Sequence, residues 1–270
     1  MLISGRTELL AILGDPITQA TTPTLINEIL TRRAIDAVLV PMQIASADLT
    51  RAVDGLRRIG NFRGAVVTMP HKRAMLPLLD RATPAAIAVG ACNVVRCGPA
   101  GTLFGDMLDG EGMIAAIASA GHEISGSTVF LAGAGGAAAG IAFAVAQHGA
   151  DRLIIQNRSA QSADRLAESI STAHPGMKVS VHSGATSERS RVRPDIAINA
   201  TSLGMREGDQ LPFSVIGFGP DTLVADVVNR SQTNLLTAAA DQGCRCVDGT
   251  AMLAAQVELM VDYILEGDPG

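Results

Sequence analysis

The chain has 270 residues, 47% of them hydrophobic and 17% charged, which places it among folded globular proteins with room for one or two real cores. Aromatic residues make up only 3%, with no tryptophan, so the core is aliphatic and a base-stacking nucleic-acid surface is disfavoured. The formal net charge of −5 comes with no lysine- or arginine-rich block, which leaves no electrostatic footprint for DNA or RNA. The basic pairs Arg32-Arg33 and Arg57-Arg58 read as solvated helix faces.

Elements can be read in chain order from hydrophobic periodicity and turn chemistry. The start, MLISGRTELLAILG, lacks the basic segment and long apolar run of a signal peptide. Leu9–Gly14 reads as a strand ending in a Gly-Asp-Pro turn, and Thr22-Pro23 as an N-cap with proline opening a helix. Ala37–Ile44 returns as a strand. Ala47–Gly60 is an amphipathic helix with Leu49, Val53 and Leu56 inward, and Gly64–Pro70 is a further strand. This alternation argues for an α/β sheet with crossover helices. Around Ala91–Asp106 the pattern changes to a hairpin through Gly98–Gly101, and a helix follows over Gly110–Ala120. The domain junction is placed there.

The second part opens with strand, glycine turn, helix and strand over Ser127–Ser159. Its uncharged run Val129–Ala146 approaches the roughly 18 residues of a membrane span, but three early glycines favour a strand, a turn and a buried helix. Strands over Asp195–Thr201 and Thr222–Val228 continue a parallel pattern, and CRCVDG leads into an apolar helix over Met252–Leu265. Ser180–Arg193 is polar and reads as surface.

The turn Gly133-Ala134-Gly135-Gly136-Ala137-Ala138 fits G-x-G-x-x-A directly after a strand. The first glycine permits the turn, the second lets backbone approach a pyrophosphate, and the small last residue lets helix and strand pack. A dinucleotide site is the reading, against a glycine turn that only packs. A triphosphate P-loop is disfavoured because no G-K-[ST] follows. At the end of the next strand stands Gln156-Asn157-Arg158-Ser159 and no acid. An acid there would hold the ribose hydroxyl of NAD, whereas an arginine suits the 2′-phosphate of NADP. Arg158 therefore favours NADP, with NAD possible. The four cysteines, Cys92, Cys97, Cys244 and Cys246, form no C-x-x-C or zinc spacing, and the five histidines no H-E-x-x-H. Reduced thiols, a cytoplasmic location and no metal are expected.

VTMPHK places Lys72 in a turn before a helix. A lysine near a carboxylate can shuttle a proton at a carbinol, although a loop lysine alone is more often a surface charge. The ordered set GDPI with Thr22-Pro23, VTMPHK, GACNVV, GDMLDG, GAGGAA, NRS, INATSLGM, ADVV and DGTAML with Gln256 resembles the shikimate dehydrogenase family across nearly the whole chain. The resemblance implies two α/β domains around a cleft: a substrate domain of residues 1–110 with 250–270, and a Rossmann-type dinucleotide domain of residues 111–249. It implies reversible hydride transfer between a nicotinamide and a ring alcohol or ketone. Lys72 and Asp109 match the catalytic pair; Thr22, Thr68, Asn93 and Gln256 match substrate-binding positions. For the cofactor the matching positions are Gly133, Ala134, Gly135, Gly136 and Ala137, then Asn157, Arg158 and Ser159, then Thr201 and Met205. The expected partner is a small-molecule substrate, with no nucleic acid and no membrane, and with monomer and homodimer both open.

The departures from the family pattern cluster on the substrate side. Two serines that usually hold a carboxylate are Ala20 and Thr22; Val66 stands for an asparagine, Met107-Leu108 for Asn-Thr, Asn229 for a tyrosine and Ala251 for a glycine. Each lost hydrogen bond in a buried site costs about 1–3 kcal/mol, which favours an altered substrate over shikimate itself. Three alternatives stay open: a true shikimate dehydrogenase, a non-catalytic nucleotide-linked binding protein and, more weakly, a metal hydrolase on Asp106 and Asp109. Ser162 stands where NADP-specific members often carry a second arginine, with Arg165 about one turn on.

Overall fold

The computed structural model describes residues 3–182 and 193–266. Of the polar stretch Ser180–Arg193, residues 183–192 lie outside the described residues, as do residues 1–2 and 267–270 of the expected substrate domain. The chain forms two compact units. One holds the residues up to Leu108 and those from Val257 on; the other is Asp109–Gln256.

The first unit contains β1 (Glu8–Gly14), α1 (Thr22–Arg32), β2 (Ala37–Gln43), α2 (Leu49–Leu56), β3 (Phe62–Val67), α3 (Lys72–Met75), β4 (Arg81–Ala82), α4 (Pro84–Val89), β5 (Val94–Cys97) and β6 (Leu103–Asp106). Its mixed sheet has the order β2-β1-β3-β5-β6-β4. β1 lies parallel to β2 and β3, while β3, β5 and β6 pair antiparallel. Leu10 to Leu13 of β1 are almost wholly buried, as a central strand covered on both faces must be. Ala11, Leu13, Ala65, Val67, Val95 and Cys97 pack against Leu49, Val53 and Leu56, the stripe expected of α2. The cap of α1 differs from expectation: Thr21 precedes the helix, its side chain makes no capping bond, and Thr22 is the first helical residue. Short helix α4 follows Thr83, whose hydroxyl accepts from the Ala86 N–H, and the sequence pattern had not marked it.

The second unit contains α5 (Asp109–Ser119), β7 (Thr128–Ala132), α6 (Gly136–Gln147), β8 (Arg152–Gln156), α7 (Ala160–Ala173), β9 (Lys178–His182), β10 (Ile196–Asn199), β11 (Leu223–Asp226), α8 (Asn234–Asp241), β12 (Arg245–Val247) and α9 (Gly249–Leu265), whose residues from Val257 count with the first unit. Every strand pair is parallel, in the order β12-β11-β10-β7-β8-β9. Read from β9, this is the doubly wound order 3-2-1-4-5-6, with its switch point between β7 and β10. The uncharged run Val129–Ala146 divides into β7 and the buried helix α6, and no helix among the described residues is long and apolar enough to cross a membrane.

Three of the four arginines read as solvated helix faces form ion pairs: Arg57 meets Asp80, and two others lie at the end of α1. Arg32 and Arg33, at the end of α1, meet Glu258 and Asp262 on the far part of α9. Helices α5 and α6 touch backbone to backbone: a Cβ added to Gly110 would stand 2.2 Å from the carbonyl oxygen of Gly140. Gly110→Ala is therefore expected to destabilise the protein by about 1–3 kcal/mol through overpacking, read from chemical denaturation midpoints. An unchanged midpoint would mean that the helices separate freely.

Candidate active site

In the first unit, several of the expected site positions gather at the carboxyl end of β3. The Val67 N–H donates to the Asn93 carbonyl at 2.8 Å, and the Thr68 N–H to the Leu13 carbonyl at 2.9 Å. Chain reversal follows at once: the His71 N–H reaches the Thr68 carbonyl, and α3 begins at Lys72, half-buried. Lys72 thus stands on the first residue of a short helix, held from behind by the Cys92 N–H on its carbonyl at 2.8 Å. Cys92 is fully buried, and burial pushes its thiol up to about 12, so it serves as a small apolar filler. His71, 0% exposed, bonds the Ile44 carbonyl through Nε2 at 2.8 Å.

Asn93 is buried at 0% exposure, and its side chain is engaged: Oδ1 accepts from the Leu108 N–H at 2.8 Å. Its backbone N–H donates to the Asp106 carbonyl at 2.9 Å. Asn93 therefore fixes the loop that leads to Asp109. Asp106 is spent on the same turn, since Oδ1 accepts from the Thr83 hydroxyl and from the Met107 N–H at 2.7 Å. Met107 packs with Ala86 and Ala91 in a small apolar cluster. Met107, 3% exposed, is thus a core residue.

In the second unit, Asp109 opens α5 at 5% exposure, and Gln256 Nε2 donates to its Oδ1 at 2.7 Å. The glutamine expected at the substrate is therefore also a hydrogen-bonding partner of the aspartate. The two side chains meet across 147 residues of sequence, a juxtaposition that only the fold creates.

A cleft of about 610 Å³ lies at the switch point, lined by Ala132–Gly135, Gln156–Arg158, Ala200–Leu203 and Pro212. Gly133 has φ +118°, and a Cβ there would stand 2.7 Å from the Ala200 carbonyl oxygen, so glycine is required. Around Gly135 and Gly136 nothing lies within 4 Å of an added Cβ. This open cradle sits over the start of α6, whose first N–H groups have no side-chain cap. Free backbone donors, open space and Arg158 at the rim fit the pyrophosphate and adenosine phosphate of a dinucleotide. Among the expected cofactor residues, Gly133, Ala134, Gly135, Asn157, Arg158 and Thr201 line this cleft. Gly136 and Ala137 begin α6 behind it. Ser159 caps α7, accepting from the Ser162 N–H at 3.4 Å, and Met205 is 52% exposed beyond the wall.

The cleft's second wall rests on residues to which the sequence reading gave no role. Asn199 accepts from the Thr201 hydroxyl at 2.7 Å and donates to the Leu203 carbonyl at 3.0 Å and to Asp226 Oδ1 at 2.8 Å. Asp226, fully buried, accepts further bonds from the Val228 N–H and the Thr233 hydroxyl. Both stand in quoted motifs, and the available signal was a polar residue ending an apolar strand.

Two family models match the chain: a shikimate dehydrogenase substrate-binding domain over residues 12–95 and a shikimate/quinate 5-dehydrogenase over residues 115–202. A shikimate dehydrogenase (NADP(+)) of Rubrobacter xylanophilus is 38% identical over 94% of this chain and 89% of its own. The chain belongs to the shikimate dehydrogenase family. It is an NAD(P)-dependent dehydrogenase of that family, with an N-terminal substrate domain and a Rossmann-like sheet. Among solved structures of the family fold, a Gluconobacter 5-ketofructose reductase in its ligand-free form superposes with a TM-score of 0.92 at 29% identity, covering 97% of this chain and 94% of its own. A Listeria monocytogenes shikimate 5-dehydrogenase in complex with shikimate and NAD superposes at 0.88 with 32% identity, over 99% and 95%.

Asp226 carries a pH signature. Burial holds its carboxyl above the ordinary 3.8 despite the bonds from Val228, Thr233 and Asn199. The folded protein keeps this proton where the unfolded chain has released it, so the stability it contributes is full below the ordinary value and falls as pH rises to the raised one. Asp226→Asn removes that limb. Relative to the variant, the parent's denaturation midpoint is expected to decline from about pH 4 upward before levelling; a pH-independent difference would contradict the raised value.

Proposed function

We propose that Lys72 and Asp109 carry the proton of the reacting hydroxyl while its carbon exchanges hydride with the nicotinamide, and that the alcohol or ketone is other than shikimate. The observation that carries this reading is the retained acid: Asp109 is buried and held at 2.7 Å by Gln256. A bound nicotinamide supplies the hydride acceptor or donor. The chain's own residues hold the hydroxyl and move its proton, and because a lysine–carboxylate dyad titrates as a unit the proton belongs to the pair. Thr22, Thr68, Asn93 and Gln256 are assigned to the substrate, with Asn93 also holding the Leu108 N–H through its Oδ1.

An altered substrate is supported by Ala20, which removes one carboxylate-binding hydroxyl, and by the apolar Val66 and Leu108, 4% and 8% exposed, in place of polar side chains. A substrate with fewer polar anchors, or without a carboxylate, fits these changes, and the likeness to a 5-ketofructose reductase adds a keto sugar to the candidates. The second reading, a dedicated shikimate dehydrogenase, is favoured by the retained Thr68, Asn93 and Gln256 and by the hydroxyl that Thr22 keeps. For the cofactor, NADP is favoured. Arg158 lines the cleft, and Arg165 Nη2 reaches Ser162 Oγ at 3.4 Å, bringing a second cation toward the start of α7 where the family's second arginine is absent.

Steady-state kinetics on shikimate, quinate, aminated and less hydroxylated analogues and a keto sugar, with both cofactors, tests the assignment. A kcat/KM for shikimate of about 10⁵ M⁻¹s⁻¹ or more would overturn the altered substrate. On the best substrate, Lys72→Ala is expected to lower kcat by about 10²-fold or more with cofactor affinity unchanged, and near-normal turnover would remove Lys72 from the chemistry. Arg158→Ala is expected to raise the KM for NADP about tenfold while leaving that for NAD nearly unchanged; equal effects on both would argue against a 2′-phosphate contact.

A further inference from the structure

Within the first unit, a second cleft of about 650 Å³ opens at the amino end of β3, the end remote from Thr68 and Lys72. β3 itself separates the two ends by roughly 20 Å. The cleft is lined by Arg57 and Arg58 after α2, Arg63 on β3, Arg96 on β5 and the turn from Gly98 to Gly101. Four arginines lining one cleft stand out in a chain of net charge −5. The one acid on the lining is Glu266.

The state of each arginine decides what the cleft can hold. Arg57 donates Nε to the Gly101 carbonyl at 2.8 Å and pairs with Asp80, so it is largely spent. Arg63 meets Glu8 at 3.3 Å, while its buried Nε has no hydrogen-bond partner among the described residues. Arg58 is exposed and has no ion pair among the described residues. Arg96 is the unusual one. It is only 6% exposed, yet among the described residues its guanidinium meets no carboxylate or carbonyl; it lies over the Phe104 ring at 4.5 Å. Stacking on an aromatic face leaves a guanidinium's in-plane N–H groups free to donate. None of the Arg96 nitrogens is sealed away without a partner, so its free donors open on the cleft, where an anion that brings its own oxygens can replace water.

We propose that this cleft is an anion site for a small phosphorylated molecule, with Arg96 and Arg58 as its principal donors and Arg63 in support. A phosphate or pyrophosphate group matches the fork of donors on arginine, and the volume is that of a small-molecule pocket. The site is separate from the glycine turn of the second unit and does not rest on the proposed substrate.

Isothermal titration of the full chain with inorganic pyrophosphate, at low ionic strength and with NADP saturating, tests it. One saturable site is expected, weakening with added salt and binding inorganic phosphate less tightly. Arg96→Met and Arg58→Ala are each expected to weaken pyrophosphate about tenfold or more. Should Arg96→Met fail to fold, the exposed Arg58→Ala decides alone. Absence of saturable binding, or an affinity unchanged by Arg58→Ala, would overturn the proposal.

Discussion

The hydrogen bonds of one buried asparagine hold the substrate-domain machinery in register. Asn93 takes the Val67 N–H on its carbonyl, the Leu108 N–H on its side chain, and gives its own N–H to Asp106. Val67 ends the strand that delivers Lys72, and Leu108 immediately precedes Asp109. One residue with no exposure therefore ties the end of β3 to the residue before α5, through its main-chain carbonyl and its side chain together. Leaving the Leu108 N–H unsatisfied here would cost about 1–3 kcal/mol, more than the net contribution of the bond itself.

The cofactor side follows the same design with different residues. Gly133 and the open backbone of Gly135 and Gly136 make one wall of the switch-point cleft. The other wall has no glycine cradle and depends on Asn199 and Asp226, whose buried bonds hold Thr201 and Leu203 in place. In the second unit, the side chains of Asn199 and Asp226 are buried next to the cleft and do not line it. Such residues are easily taken for ligand-binding ones, because both kinds are polar residues at the ends of apolar strands.

The substrate-side substitutions divide once burial is known. In GDMLDG, Asp106 belongs to a turn, Met107 to an apolar cluster with Ala86 and Ala91, and Asp109 to a hydrogen bond with Gln256. The stretch thus divides among turn closure, core packing and a buried, hydrogen-bonded carboxylate. The same division applies to the paired arginines. Arg32 and Arg33 are bound to α9, and Arg57 closes on Gly101 and Asp80, whereas Arg58 beside it stays free of ion pairs among the described residues.

The sequence alone determined what short-range chemistry can encode: the alternation of strand and helix, the stripe of Leu49, Val53 and Leu56, the hairpin over Val94–Asp106, and the glycine turn after β7. Periodicity and turn residues are local, and so were readable. Helices α7 and α8 and the edge strands β4 and β9 escaped, because they lie in polar or short segments whose place is set by neighbours. The order of the parallel sheet, the meeting of Asp109 with Gln256, the burial of Met107 and the arginine cleft were decided by tertiary structure. Each depends on residues distant in the chain being brought within hydrogen-bond or van der Waals reach, and no local pattern specifies that distance.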